Sequence, residues 1–160
     1  YRMVAGTDLE GVIISGFRDS IGLYEQKTDV EIAAARRWLK LAGFEGRENE
    51  SFGNLSYGEQ RAILILRSAV KCPKVLILDE PTAALDPIAE YEIYSNFNGI
   101  VGNKTAVYIS HRLSSCRFCD RIAVFHEGNI VQVGSHDELL ADDTGKYYEL
   151  WQAQAQYYIE

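Results

Sequence analysis

Two adjacent carboxylates, Asp79 and Glu80, follow the apolar run Val75-Leu76-Ile77-Leu78 and precede Pro81-Thr82. A short continuous apolar run of this kind reads as a strand buried on both faces. Open α/β sheets bind their ligands at such strand ends. Two acids there suit two tasks: one holds Mg²⁺ through water, the other polarises an attacking water. Acids at strand ends also cap turns, but the apolar run before this pair and the Pro-Thr after it favour the chemical reading. Upstream, Leu55-Ser56-Tyr57-Gly58-Glu59-Gln60 opens a helix, with Ser56 and Glu59 at capping-box spacing. The Ser56 hydroxyl and the Gly58 backbone N–H offer an anion a place at that helix start. His111, in Ser110-His111-Arg112, directly follows a second strand-like run, Thr105 to Ile109. A histidine there suits contact with a terminal phosphate or an attacking water. Standing alone, it reads equally well as a polar strand-end residue. No G-x-x-x-x-G-K-[ST] loop occurs in the sequence, so the usual cradle for β- and γ-phosphates is absent from this chain.

The elements that must position these residues alternate between helix and strand, which favours an α/β fold. Thr28-Asp29-Val30-Glu31 is a capping box opening a helix to about Ala42, stopped by Gly43. Trp38, Leu39 and Leu41 fall in its last turns. A polar loop covers Gly46 to Gly53, and the helix opened by Ser56 runs to about Lys71, before Pro73. Asp86-Pro87 is an N-cap with proline at the first helical position, and that helix carries Tyr91, Ile93, Tyr94 and Phe97. It runs to about Val101, so the strands on either side of it should pair in parallel. A short helix covers about Leu113 to Phe118. Arg121 to Phe125 and Asn129 to Val133 form a hairpin around Glu127-Gly128. Ser135-His136-Asp137-Glu138 is a third capping box, and the aromatic-rich tail from about Lys146 to Ile159 is helical.

Composition excludes several classes. The 160 residues suffice for one ordinary domain, and the 47% apolar and 24% charged shares are those of soluble globular chains. No apolar run approaches the roughly 18 residues of a membrane helix. The N-terminus shows no signal-peptide pattern, and Tyr1-Arg2 without an initiator Met reads as part of something longer. A net charge of −7 argues against a nucleic-acid partner. Three cysteines, Cys72, Cys116 and Cys119, are no disulfide framework and favour a reducing compartment. Cys116 and Cys119 have redox or metal spacing but lack a second pair, so they read as small residues on one helical face.

Taken together these segments resemble the nucleotide-binding domain of ABC-type ATPases. Leu55-Ser56-Tyr57-Gly58-Glu59 is similar to the signature, usually L-S-G-G-Q, with Tyr57 and Glu59 as departures. Val75 to Glu80 resembles Walker B, Ala84-Leu85-Asp86 the D-loop, and His111 the switch histidine. Phe125 to His136 resembles the tail hairpin and the start of its following helix. The resemblance covers nearly the whole chain. It implies that Asp79 helps hold Mg²⁺, that Glu80 is the general base, and that His111 positions water and γ-phosphate. It places Ser56, Gly58, Glu59 and Asp86 beside ATP bound chiefly to a partner domain, since two domains of this family pair head to tail.

The implied fold is a P-loop NTPase-like parallel sheet, the second half of the ABC core. A helical subdomain (residues 1–72) precedes it, and residues 73–160 carry Walker B, the D-loop, the switch histidine, the hairpin and the tail helices. Walker A, the adenine-stacking aromatic and the Q-loop glutamine would all precede Tyr1. ATP and Mg²⁺ are therefore expected in a full-length context, with no tight binding by this chain alone. The expected partners are a second ATPase domain or a Walker A-bearing segment, and a transmembrane transport domain. The location would be cytoplasmic and peripheral to the membrane. In the family the Walker A strand lies between the switch-histidine strand and the hairpin. A gap is thus expected between Ile109 and Ile122, closed by the 121–125 strand or by self-association. Up to about Pro81, with Val12-Ile13-Ile14-Ser15-Gly16 and Asp19-Ser20-Ile21-Gly22-Leu23-Tyr24, the chain resembles molybdate-associated tandem ABC ATPases. Beyond Thr82, with Ile109 to Ser115, it resembles ABC exporters. Two other readings stand beside this one: a non-catalytic or chimeric fold fragment, and the signature lobe of a chromosome-maintenance ATPase.

Overall fold

A computed structural model describes residues 6–20, 26–82, 85, 90–91, 94, 101–102 and 104–156. They fall in two compact units, residues 1–109 and 110–160. The first unit opens with helix α1, Leu9–Phe17, whose N-cap Asp8 accepts from the Gly11 N–H at 2.6 Å. The sequence reading assigned no helix here, because α1 lacks a polar stripe. Every residue from Leu9 to Gly16 is buried, so there is no amphipathic period to detect.

Two helices cover it. Helix α2, Asp29–Leu41, begins at Thr28 with both arms of the expected capping box, and Gly43 follows at φ +82°. Helix α3, Tyr57–Ala69, begins at Ser56 with both arms again formed. Leu9, Val12, Ile13, Leu39, Ile63 and Leu66 are fully buried between these helices. Glu10 is also buried, at 4% exposure. Lys27 at 3.1 Å and Arg36 at 2.9 Å pair with it, which is what permits a carboxylate there. Gly16 lets α1 and α3 close: a Cβ added to it would lie 2.3 Å from the Arg67 carbonyl oxygen.

Strands β1, Val75–Asp79, and β2, Thr105–Ile109, pair in parallel, with Val75 beside Thr105 and Asp79 beside Ile109. Leu76 packs on Ile65 of α3 and on Leu85, with Leu78, Ala106 and Tyr108 against them. Burial on both faces was expected. Instead the other face is open, with Val75 53%, Ile77 65%, Val107 44% and Ile109 52% exposed. An α/β layer supplied on one side only leaves alternate residues in water. Most of the helix expected from Asp86 to Val101 lies outside the described residues; Glu90, Tyr91, Tyr94 and Val101 within it are helical.

The second unit begins with the single turn α4, Leu113–Cys116. Strands β3, Ile122–His126, and β4, Asn129–Gly134, form the expected hairpin. Glu127 at φ +49° and Gly128 at φ +77° make its turn, the left-handed pair that two-residue hairpins require. Ser135 caps α5, His136–Ala141, through a third complete box. Helix α6, Lys146–Gln156, follows, and the expected continuation to Ile159 lies outside the described residues. Leu113, Ile122, Val124, Leu139 and Tyr147 form this unit's core.

Among the described strands β2 bonds only to β1, and β3 only to β4. The hairpin's ladder satisfies one edge of β3. No described helix is long and apolar enough to cross a membrane.

Candidate nucleotide site

The signature-like segment is held by its own side chains. The Glu59 N–H donates to Ser56 Oγ at 3.3 Å, the Ser56 N–H donates to Glu59 Oε2 at 2.9 Å, and the Ser56 hydroxyl donates to the same oxygen at 2.9 Å. Glu59 Oε1 accepts from Arg47 at 2.5 Å, while Arg47 Nε reaches Glu50 at 2.7 Å. The Arg47 guanidinium, helped by the Ser56 donors, holds the Glu59 carboxyl below the usual carboxylate range. Arg47 was not singled out from the sequence. It lies in a polar loop, and only the chain path past α1 brings it to the start of α3.

The neighbouring Gln60 and the other departure, Tyr57, also find roles. The Gln60 side chain donates to the Leu55 carbonyl at 3.1 Å, closing the turn. Tyr57 is 48% exposed, and Arg61 lies over its ring at 5.0 Å while donating to its hydroxyl. Helix α3 therefore presents Ser56, Gly58 and a charge-compensated Glu59 at its N-terminus. It leads at its other end into β1.

Asp79 ends β1 with its side chain exposed, in register with Ile109. The Glu80 N–H donates to the Ile109 carbonyl at 2.8 Å, so the ladder extends one residue past the strand. Glu80 itself has φ +44°. That conformation costs a non-glycine residue of order 1–2 kcal/mol and turns the chain sharply after the strand. It separates the two carboxylates, leaving Asp79 in solvent and Glu80 half-buried. Behind the turn, buried Thr82 contacts Glu90 Oε1 and the Tyr94 hydroxyl, each at 3.2 Å. Tyr94 meets Tyr108 of β2 edge-on at 5.8 Å. This polar packing fixes Thr82.

The described residues contain no cluster of three or more His, Cys, Asp and Glu arranged for a metal. Magnesium needs no such cluster in general, because the ion keeps several waters and is held by one or two carboxylates together with phosphate oxygens. Asp86 lies outside the described residues, as does Ala84.

His111 is exposed at the start of the second unit. Ser110 Oγ accepts from the Arg112 N–H at 3.0 Å. Gln154 of α6 donates to the His111 carbonyl at 2.5 Å and accepts from the Leu113 N–H at 2.9 Å. The sequence reading did not single out Gln154. Cys116 and Cys119 pack against the core of this unit, and burial pushes the Cys116 thiol up to about 11. The expected residues thus form a signature group (Ser56, Gly58, Glu59) and a carboxylate pair (Asp79, Glu80) in the first unit, and His111 in the second.

The ABC transporter family matches residues 8–83, a stretch that includes Ser56, Gly58, Glu59, Asp79 and Glu80. The chain is 42% identical over 148 residues to the toxin RTX-I translocation ATP-binding protein of Actinobacillus pleuropneumoniae, covering 87% of this chain and 21% of that one. It is 38% identical over 135 residues to ABC transporter B family member 21 of Arabidopsis thaliana, covering 83% and 10%. The chain therefore spans about a tenth to a fifth of the length of these relatives. Among solved structures, a bacterial Atm1-family ABC exporter with ATP bound superposes with TM-score 0.71 at 29% identity, over 96% of this chain and 27% of that one. An ATP-binding cassette of an ABC transporter in its ADP conformation superposes with TM-score 0.76 at 22% identity, over 93% and 63%, and supports the P-loop NTPase fold alone. Residues 8–83 thus match the ABC transporter family, and the chain is similar to a translocation ATP-binding protein and to an ABC exporter.

Proposed function

We propose that this chain is the signature-bearing, C-terminal portion of an ABC-type ATPase that couples ATP binding and hydrolysis to export. The observation that carries the reading is the end of β1. There Asp79 and Glu80 leave a parallel strand, and Glu80 is turned by a left-handed backbone. In this reading Asp79 holds Mg²⁺ through water, and the ion neutralises phosphate charge when nucleotide is bound. Glu80 accepts the proton of the attacking water, and His111 orients that water and the γ-phosphate. Ser56 and Gly58 face the γ-phosphate held by a partner domain, with Glu59 and Asp86 beside them.

The phosphate cradle comes from a Walker A-bearing segment outside this sequence, since no such loop is among the 160 residues. Residues 1–72 act as the helical subdomain and 73–160 as the second half of the core. A transmembrane transport domain and a second ATPase domain complete the machine at the cytoplasmic face of a membrane. Similarity to a toxin translocation ATP-binding protein and to an Atm1-family ABC exporter favours export over import.

The test has two arms. The chain alone is expected to release no phosphate from ATP, because two carboxylates cannot hold a nucleotide. Joined to a Walker A-bearing segment, it is expected to hydrolyse ATP. Glu80→Gln should then lower turnover roughly 10²–10⁴-fold and leave ATP binding in place. Magnesium-dependent hydrolysis by the chain alone that disappears in Glu80→Gln refutes the need for a second segment. Undiminished turnover of Glu80→Gln in the joined protein refutes the catalytic assignment.

A further inference from the structure

The loop carrying His111 is held from a distance by one side chain. Tyr147, Leu150, Trp151 and Gln154 are spaced i, i+3, i+4 and i+7 on α6, which puts them on one helix face. The first of them is fully buried in the core of the second unit, and Leu150 and Trp151 pack against that core. The Tyr147 hydroxyl also meets His136 Nδ1 at 2.8 Å, and its N–H donates to the Gln132 side chain at 2.9 Å. Three anchored residues therefore fix the rotation of α6, and Gln154 comes next along the same stripe. Its amide is a two-pronged clamp. Nε2 donates to the His111 carbonyl at 2.5 Å, and Oε1 accepts from the Leu113 N–H at 2.9 Å. Leu113 opens α4 with its side chain buried, and Arg112, the N-cap of that turn, makes no side-chain cap bond. Gln154 thus supplies the acceptor that a capping side chain gives elsewhere. From the other side, Ser110 Oγ accepts the Arg112 N–H. The backbone on both sides of His111 is fixed while its side chain stays exposed.

We propose that Gln154 is a positioning residue for His111: it sets the direction of the imidazole by holding the 111–113 backbone to α6. The inference rests on the ATPase reading for what His111 does, and on geometry alone for the clamp. It couples the C-terminal helix of the chain to the chemistry, so a shift of α6 along its axis moves the histidine.

Two variants separate the clamp from the fold. Gln154→Leu removes both prongs, whereas Gln154→Glu keeps the acceptor for Leu113 and loses the donor for His111. In the 160-residue chain, backbone amide exchange of Leu113 should rise at least tenfold in Gln154→Leu and stay near wild type in Gln154→Glu. The Leu139 amide, which bonds to the Ser135 carbonyl at 3.0 Å, should keep its protection in both. Unchanged Leu113 exchange in Gln154→Leu overturns the clamp. Loss of protection at Leu139 as well assigns Gln154 to the fold and also overturns it. The second readout uses the ATPase-competent protein containing this chain. Gln154→Leu should lower kcat about tenfold at constant KM, and should have no further effect in a His111→Ala background. Additive losses overturn the positioning role. A parent protein with no turnover refutes the ATPase reading, while the exchange experiment still decides the clamp.

Discussion

Glu59 stands where the family's usual signature has glutamine, and replacing it by that residue should weaken this chain. Glu59→Gln keeps an amide oxygen to accept from the Ser56 N–H, so the cap on α3 survives. It loses the charge of the Arg47 pair, whose atoms are 2.5 Å apart with side chains 38% and 33% exposed. Pairs this open to solvent contribute about 0.2–1 kcal/mol. Arg47 keeps Glu50 at 2.7 Å, so the guanidinium is not stranded. The expected loss at pH 7 is about 0.5–1 kcal/mol, with the upper part of that range favoured by the shared Ser56 donors.

The sign with pH follows from the lowered carboxyl. Above the unfolded value near 4.3 both states are ionised and the full contribution is present. As pH falls through the lower folded value, the folded state is protonated too and the contribution disappears. Wild type and Glu59→Gln should therefore differ at pH 7 and converge at the acid end. Urea unfolding followed at Trp38, in a Trp151→Phe background so that only the first unit reports, measures the difference. With a slope of about 2 kcal/mol/M, the midpoint should fall by roughly 0.25–0.5 M. A variant as stable as wild type at pH 7, or a deficit that persists unchanged at low pH, refutes the charge argument. Arg47→Ala in the Glu59→Gln background should lose less than in wild type, by the same energy.

Gly16→Ala should destabilise the first unit despite the better helix propensity of alanine. The new Cβ would stand 2.3 Å from the Arg67 carbonyl and 3.0 Å from Val70 Cγ2, and backbone cannot step aside as a flexible side chain does. Overpacking of about 1–3 kcal/mol outweighs the propensity gain of about 1 kcal/mol, and the same urea titration reads the balance. For the cysteines, burial raises Cys116 to about 11 while Cys72 is exposed. Iodoacetamide at neutral pH should label Cys72 first, with Cys116 slower by roughly a hundredfold, read by peptide mass spectrometry. Equal labelling of the two in the folded chain would show that Cys116 is not shielded as described.

Sequence alone determined the features whose causes are local. The capping boxes at Thr28, Ser56 and Ser135 form because each closes on a residue three positions ahead, and all three are complete in the structure. Glu127-Gly128 makes its hairpin turn because its backbone needs are met by its own residues. The run from Val75 to Leu78 reads as a strand followed by two acids, and the signature and Walker B segments carry the family resemblance without any fold. Tertiary structure decided what depends on neighbours far along the chain. Helix α1 has no polar stripe to announce it, and only the packing of α2 and α3 explains its uniform burial. The open faces of β1 and β2 follow from how many layers cover the sheet, which no run of apolar residues states. Arg47 meets Glu59 of α3 from a loop 12 residues away, and Gln154 reaches His111 and Leu113 across 43 and 41 residues. A residue's type says which hydrogen bonds it can make; only the folded path of the chain says which groups it will find within 3 Å.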